Sequence, residues 1–89
     1  MTTTANGLAK LVEECGELQQ VAGKALVRMG RESARPAGSL RTRLEEEMAD
    51  MLAAADFVAE TLALDQQGIR TRRDAKLDKF RQRLAGEPG

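Results

Sequence analysis

Eighty-nine residues make one domain at most, and a chain this short stays marginal unless a staple, a metal or a partner adds to its core. A single cysteine, Cys15, rules out an internal disulfide, and without histidine there is neither a Cys/His zinc site nor a histidine base. Fourteen acids balance fourteen bases, yet residues 66–89 hold seven bases against three acids, so the front is acidic and the tail basic.

Ala, Leu, Glu, Gln, Lys and Arg dominate, and Trp and Tyr are absent. This composition favours helix and argues against sheet. The opening "MTTTANGLAK" has no basic stretch followed by an apolar one, and the longest apolar run, "MLAAA" at 51–55, is far too short to span a bilayer. A soluble cytoplasmic protein without a membrane partner is the expectation.

The first helix is read from about Ala5 to Met29, on a stripe of Leu8, Leu11, Val12, Cys15, Leu18, Ala22, Ala25, Leu26 and Met29. Cys15 is expected as buried filler on that stripe, and Gly30 is expected to stop the helix. The stretch "GRESARPAGS", 30–39, lacks periodicity and reads as a loop, with Ser39 as the next N-cap. A second helix follows over about 40–64, on Leu40, Leu44, Met48, Met51, Ala55, Val58 and Leu62. A break at "DQQG" leads to a third, over about 69–84, where Ile69, Leu77, Phe80 and Leu84 share a face. The whole reads as one all-α domain, 1–89, with Phe57 and Phe80 in its core.

Two acidic clusters do not fit simple solvated faces. Glu13, Glu14 and Glu17 fill an arc of about 100° beside the first apolar stripe, and Glu47 lies among Leu40, Leu44, Met51, Ala54 and Val58, with Asp50 at the edge. A carboxylate there needs a positive partner, or it is protonated. A lysine or arginine of the third helix is one candidate; a divalent cation is another. The i, i+3 pairs Glu14 with Glu17 and Glu47 with Asp50 each set two carboxylates on one side of a helix, and oxygen-only ligation suits Mg²⁺ or Mn²⁺.

"EECGE" at 13–17 followed by "EMAD" at 47–50 resembles the EExxE…ExxD pattern of the MazG-like, all-α nucleoside triphosphate pyrophosphohydrolases. "LVEECGELQQVAGKALVRMG" is similar to the first motif helix of that family and "KLDKFRQRL" to its basic closing helix, so that residues 8–84 are covered. The resemblance implies that Glu14, Glu17, Glu47 and Asp50 bind Mg²⁺, with Mn²⁺ as a substitute, and that Glu13 activates the attacking water. It further implies that Lys24, Arg28, Lys76 and Lys79 contact the phosphates. The implied activity is house-cleaning hydrolysis of a (d)NTP to (d)NMP and pyrophosphate. The helices are too long to cover their stripes within one chain, so a homodimer with a four-helix core is expected, paired again into a tetramer if the contact repeats. No nucleic-acid partner is expected, since only Phe80 interleaves the basic tail. The alternative is a helical dimerisation or nucleotide-binding module without turnover.

Overall fold

The computed structural model describes residues 2–32 and 35–86, and among these the secondary structure is helical: α1 (Thr3–Glu32), α2 (Gly38–Thr61) and α3 (Gln66–Gly86). None of these helices is long and apolar enough to cross a membrane. The loop expected at 30–39 falls partly on residues 33–34, outside the described residues.

Helix α1 begins where Thr2 caps it, its Oγ1 accepting the N–H of Ala5 at 3.1 Å. It runs through Gly30 instead of stopping there. A glycine inside a helix costs only about 1 kcal/mol relative to alanine, and basic Arg31 in the last turn favours the helix C-terminus. Ser39 does not cap α2. The chain enters that helix at Gly38, whose φ of +60° is open to glycine without a Cβ clash, and the extended N-cap residue, Ala37, supplies no side-chain hydrogen bond. The far end of α2 closes three residues earlier than expected, in a Schellman turn: the N–H of Leu64 donates to the carbonyl of Ala59 at 2.9 Å and that of Ala63 to the carbonyl of Glu60 at 3.2 Å. Ala63 stands at φ 51°, in the left-handed region. Helix α3 then starts at Gln66, ahead of Ile69, because Asp65 caps it: Oδ1 accepts the N–H of Gly68 at 2.9 Å.

The core lies between α1 and α2. Val21 and Ala25, late in α1, pack with Leu40 and Leu44, early in α2, whereas Gly7, early in α1, lies under Phe57 and Val58, late in α2. The two helices are therefore an antiparallel hairpin. Each buries a seam spaced alternately by four and three residues: Gly7, Leu11, Glu14, Leu18, Val21 and Ala25 on α1, and Leu40, Leu44, Glu47, Met51, Ala54 and Val58 on α2. One residue further round, a second seam with the same spacing is largely uncovered. On α1 it is Leu8, Val12, Cys15, Gln19, Ala22, Leu26 and Met29; on α2 it is Met48, Leu52, Ala55, Ala59 and Leu62. Val12 is 74% exposed and Leu26 71%. Cys15, expected as buried filler, is an exposed free thiol on that seam.

Antiparallel helices that both turn by one residue, about 100°, from their contact line turn toward the same side. The two outer seams thus form one apolar face of the hairpin. Helix α3 buries no residue and makes at most marginal contact with the hairpin. Phe80, expected in the core, is 56% exposed, and Phe57 covers Gly7 on one side while its other side meets solvent.

Candidate metal and phosphate site

Each buried seam carries one glutamate, and the antiparallel pairing sets the two side by side. Glu14 is only 6% exposed. One carboxylate oxygen each of Glu14, Glu47 and Asp50 fall within 4.8 Å of one another, so α1 contributes one acid and α2 two to a single spot. Glu14 Oε1 takes the ammonium of Lys10 at 3.1 Å, an i, i+4 pair within α1. Glu14 Oε2 and Glu47 Oε2, both shielded from solvent, have no hydrogen-bond partner among the described residues. A shielded carboxylate oxygen without a partner is expensive to leave bare.

The electrostatics follow the packing. Burial pushes the Glu47 carboxyl above the usual carboxylate range, and Glu17 adds to this by its charge and by hydrogen bonding, which between two carboxyls requires a proton; the charges of Asp50 and Glu14 push the same way. Lys10 is held above its ordinary value by its hydrogen bond to Glu14, then by the charges of Glu13 and Glu14. The partner lysine that a buried acid required therefore comes from α1 itself, one turn ahead of Glu14, and not from the third helix. It satisfies one oxygen and leaves the other.

The remaining residues divide between three places. Glu17 is exposed and outside the close trio, but near enough to Glu47 to act on its proton. Glu13 is on the outer side of α1, where Lys10 Nζ approaches its Oε1 at 3.5 Å. Lys24 and Arg28 line an open groove of about 790 Å³ at the loop end of the hairpin, which Arg31 and Arg43 also line. By helix rise, Lys24 stands about 10 Å along α1 from Glu17. Lys76 and Lys79 are exposed on α3, and the structure does not bring them to the acids.

Sequence reasoning missed Lys10, Arg31 and Arg43. The i, i+4 spacing of Lys10 and Glu14 was a usable signal; the convergence of Arg43 with Arg31 depends on the hairpin pairing and has no local mark.

Glu14, Glu47 and Asp50 are a group of acids that could hold a cation. The donor set is all oxygen, and Glu14 and Glu47 each carry one shielded, unpartnered oxygen. Comparison with protein-family models, with curated proteins and with solved structures finds no match to this chain. The functional reading rests on the residues themselves.

Proposed function

We propose that this chain is a Mg²⁺-dependent nucleoside triphosphate pyrophosphohydrolase on the MazG-like all-α plan, cleaving a (d)NTP to (d)NMP and pyrophosphate in the service of the nucleotide pool. The observation that carries the proposal is the convergence of Glu14, Glu47 and Asp50 across the α1–α2 contact, with one shielded, unpartnered oxygen on each glutamate. A merely solvated acidic face would give no reason to bury Glu14 on one seam and half-bury Glu47 on the other.

In this reading Glu14, Glu47 and Asp50 hold Mg²⁺ or Mn²⁺, with Glu17 joining from the Glu47 side. Held there, a divalent cation would supply charge neutralisation to the polyphosphate and to the leaving pyrophosphate. Glu13 takes the proton of the attacking water as its oxygen bonds to the α-phosphorus. The bond from the α-phosphorus to the α,β-bridging oxygen breaks, and its electron pair leaves with pyrophosphate. Lys10 ties Glu13 and Glu14 to one cation, which limits how far the base swings from the cluster. Lys24 and Arg28 bind phosphate oxygens from the groove side. The assembly in this reading is a homodimer with a four-helix core, the uncovered face of α1 and α2 meeting its copy; Lys76 and Lys79 then reach a site only through assembly.

The uncovered face and the unpacked α3 also favour a second reading, a dimerisation or nucleotide-binding module without turnover. Pyrophosphate release from a panel of canonical and modified NTPs and dNTPs, in Mg²⁺, Mn²⁺ or EDTA, separates the two. The hydrolase gives metal-dependent release with monophosphate as co-product, and Glu47→Gln lowers it at least about a hundredfold with helicity retained. A folded protein silent across the panel speaks for the module.

A further inference from the structure

The groove at the loop end of the hairpin has more charge than two phosphate contacts require. Lys24, Arg28 and Arg31 reach it from the last turns of α1 and Arg43 from the second turn of α2, against one acid, Glu32. Glu32 is itself engaged at the limit of an ion pair, 4.0 Å from Arg28 Nε. Lys24, Arg31 and Arg43 have no carboxylate partner among the described residues. Like charges gathered this way repel one another, and an anion held among them relieves that repulsion.

The backbone contributes in the same direction. Ser39 and Leu40 also line the groove, and they belong to the first turn of α2, where the N-cap residue makes no side-chain hydrogen bond. Unsatisfied N–H groups and the positive end of a 24-residue helix add to the four side chains. The volume, about 790 Å³, is in the range of small-molecule sites.

We propose that this groove is a polyphosphate-binding site that works without metal, with Arg31 and Arg43 as its principal residues. Its ligand is a chain of at least two phosphates, free or as the tail of a nucleotide, held by charge-assisted bonds from side chains of both helices. The proposal deepens the hydrolase reading where it shares Lys24 and Arg28 with it, but the binding itself needs none of the carboxylates.

Titration of the full chain with inorganic tripolyphosphate in EDTA, followed by calorimetry, tests this. Binding is expected, with affinity falling about tenfold for Arg43→Gln and again for Arg31→Gln, unchanged in Glu47→Gln and in Arg70→Gln, and lower as salt is raised. Single orthophosphate should bind far more weakly. The proposal is overturned by absent binding, by an equal loss in Arg70→Gln, which would mean bulk charge only, or by tighter binding of an oligonucleotide without terminal phosphates, which would assign the groove to a nucleic-acid backbone. Failure of the hydrolase reading looks different: tripolyphosphate binds as described and no nucleotide is cleaved in Mg²⁺.

Discussion

Glu47 occupies a position that the packing reserves for an apolar side chain, and its proton affinity shows the conflict. Its carboxyl is raised first by burial and then by Glu17, Asp50 and Glu14. A carboxyl raised in the folded state binds more protons there than in the unfolded chain, so stability falls as pH rises from the ordinary carboxylate value through the raised one, and stays reduced above it. In EDTA, the protein should melt at a higher temperature at pH 5 than at pH 7.5. Glu47→Gln should lose much of that dependence and melt higher than wild type at pH 7.5, since it removes the like charge but keeps the shape. Millimolar Mg²⁺ should raise the melting temperature of wild type and do much less for the variant. A flat profile in EDTA, or a Glu47→Gln protein that melts lower, would show that the cluster is not strained by its own charge.

Among the elements, the α2–α3 junction is the most constrained by single residues. Ala63 holds the left-handed position of the Schellman turn that glycine normally fills. The left-handed conformation costs an ordinary residue about 1–2 kcal/mol, part of which glycine returns through its freer unfolded chain. Ala63→Gly should therefore stabilise by about 0.5–1 kcal/mol, read as a higher urea midpoint with an unchanged slope; a lower midpoint would mean that the turn is not strained. Asp65→Ala removes the side-chain cap at the start of α3 and should cost about 1 kcal/mol of helix stability. With α3 scarcely packed, that loss should appear as reduced helical circular dichroism before the hairpin melts.

Three helices were legible in the sequence because their composition and period leave no alternative. Their ends were not. Gly30 looked like a stop and is not one, while the stop of α2 at Ala63 and the start of α3 at Asp65 depend on a backbone angle and a side-chain rotamer. The merged α1 stripe hid a further distinction: it mixed members of two seams one residue apart and left out Val21, the most deeply buried side chain, and only the tertiary contact decides that Glu14, Val21 and Ala25 go inside while Val12, Cys15 and Leu26 stay out. The acids were readable for the opposite reason. Glu47 broke an apolar seam whose period was already clear, and Glu14 bordered one. Arg43 broke nothing, so its place beside Arg31 emerged only from the fold.

At the scale of the whole molecule, the chain is too open for its mass. A compact 9.7 kDa monomer exposes about 5,100 Å², whereas this one exposes 7170 Å². Its radius of gyration is 15.9 Å, against about 12 Å for a compact domain of this length. The excess, roughly 2,000 Å² per chain, is of the size that obligate homodimers bury. Part of it lies on the one face formed by the outer seams, where Leu8, Val12, Leu26, Met48, Leu52 and Leu62 are exposed, and part on the unpacked α3. A second copy laid on that face by a two-fold axis would give four helices with heptad-spaced seams inside and out. Val12→Glu and Leu52→Glu place charges on that face at positions 74% and 54% exposed in the single chain, so neither disturbs the hairpin core. Sedimentation at micromolar concentration should show wild type as a dimer or tetramer and the double variant as a monomer of lower melting temperature, while Gln67→Glu, at the exposed start of α3, should leave the assembly unchanged. A monomeric wild type would remove the four-helix core and leave the exposed face to a different partner.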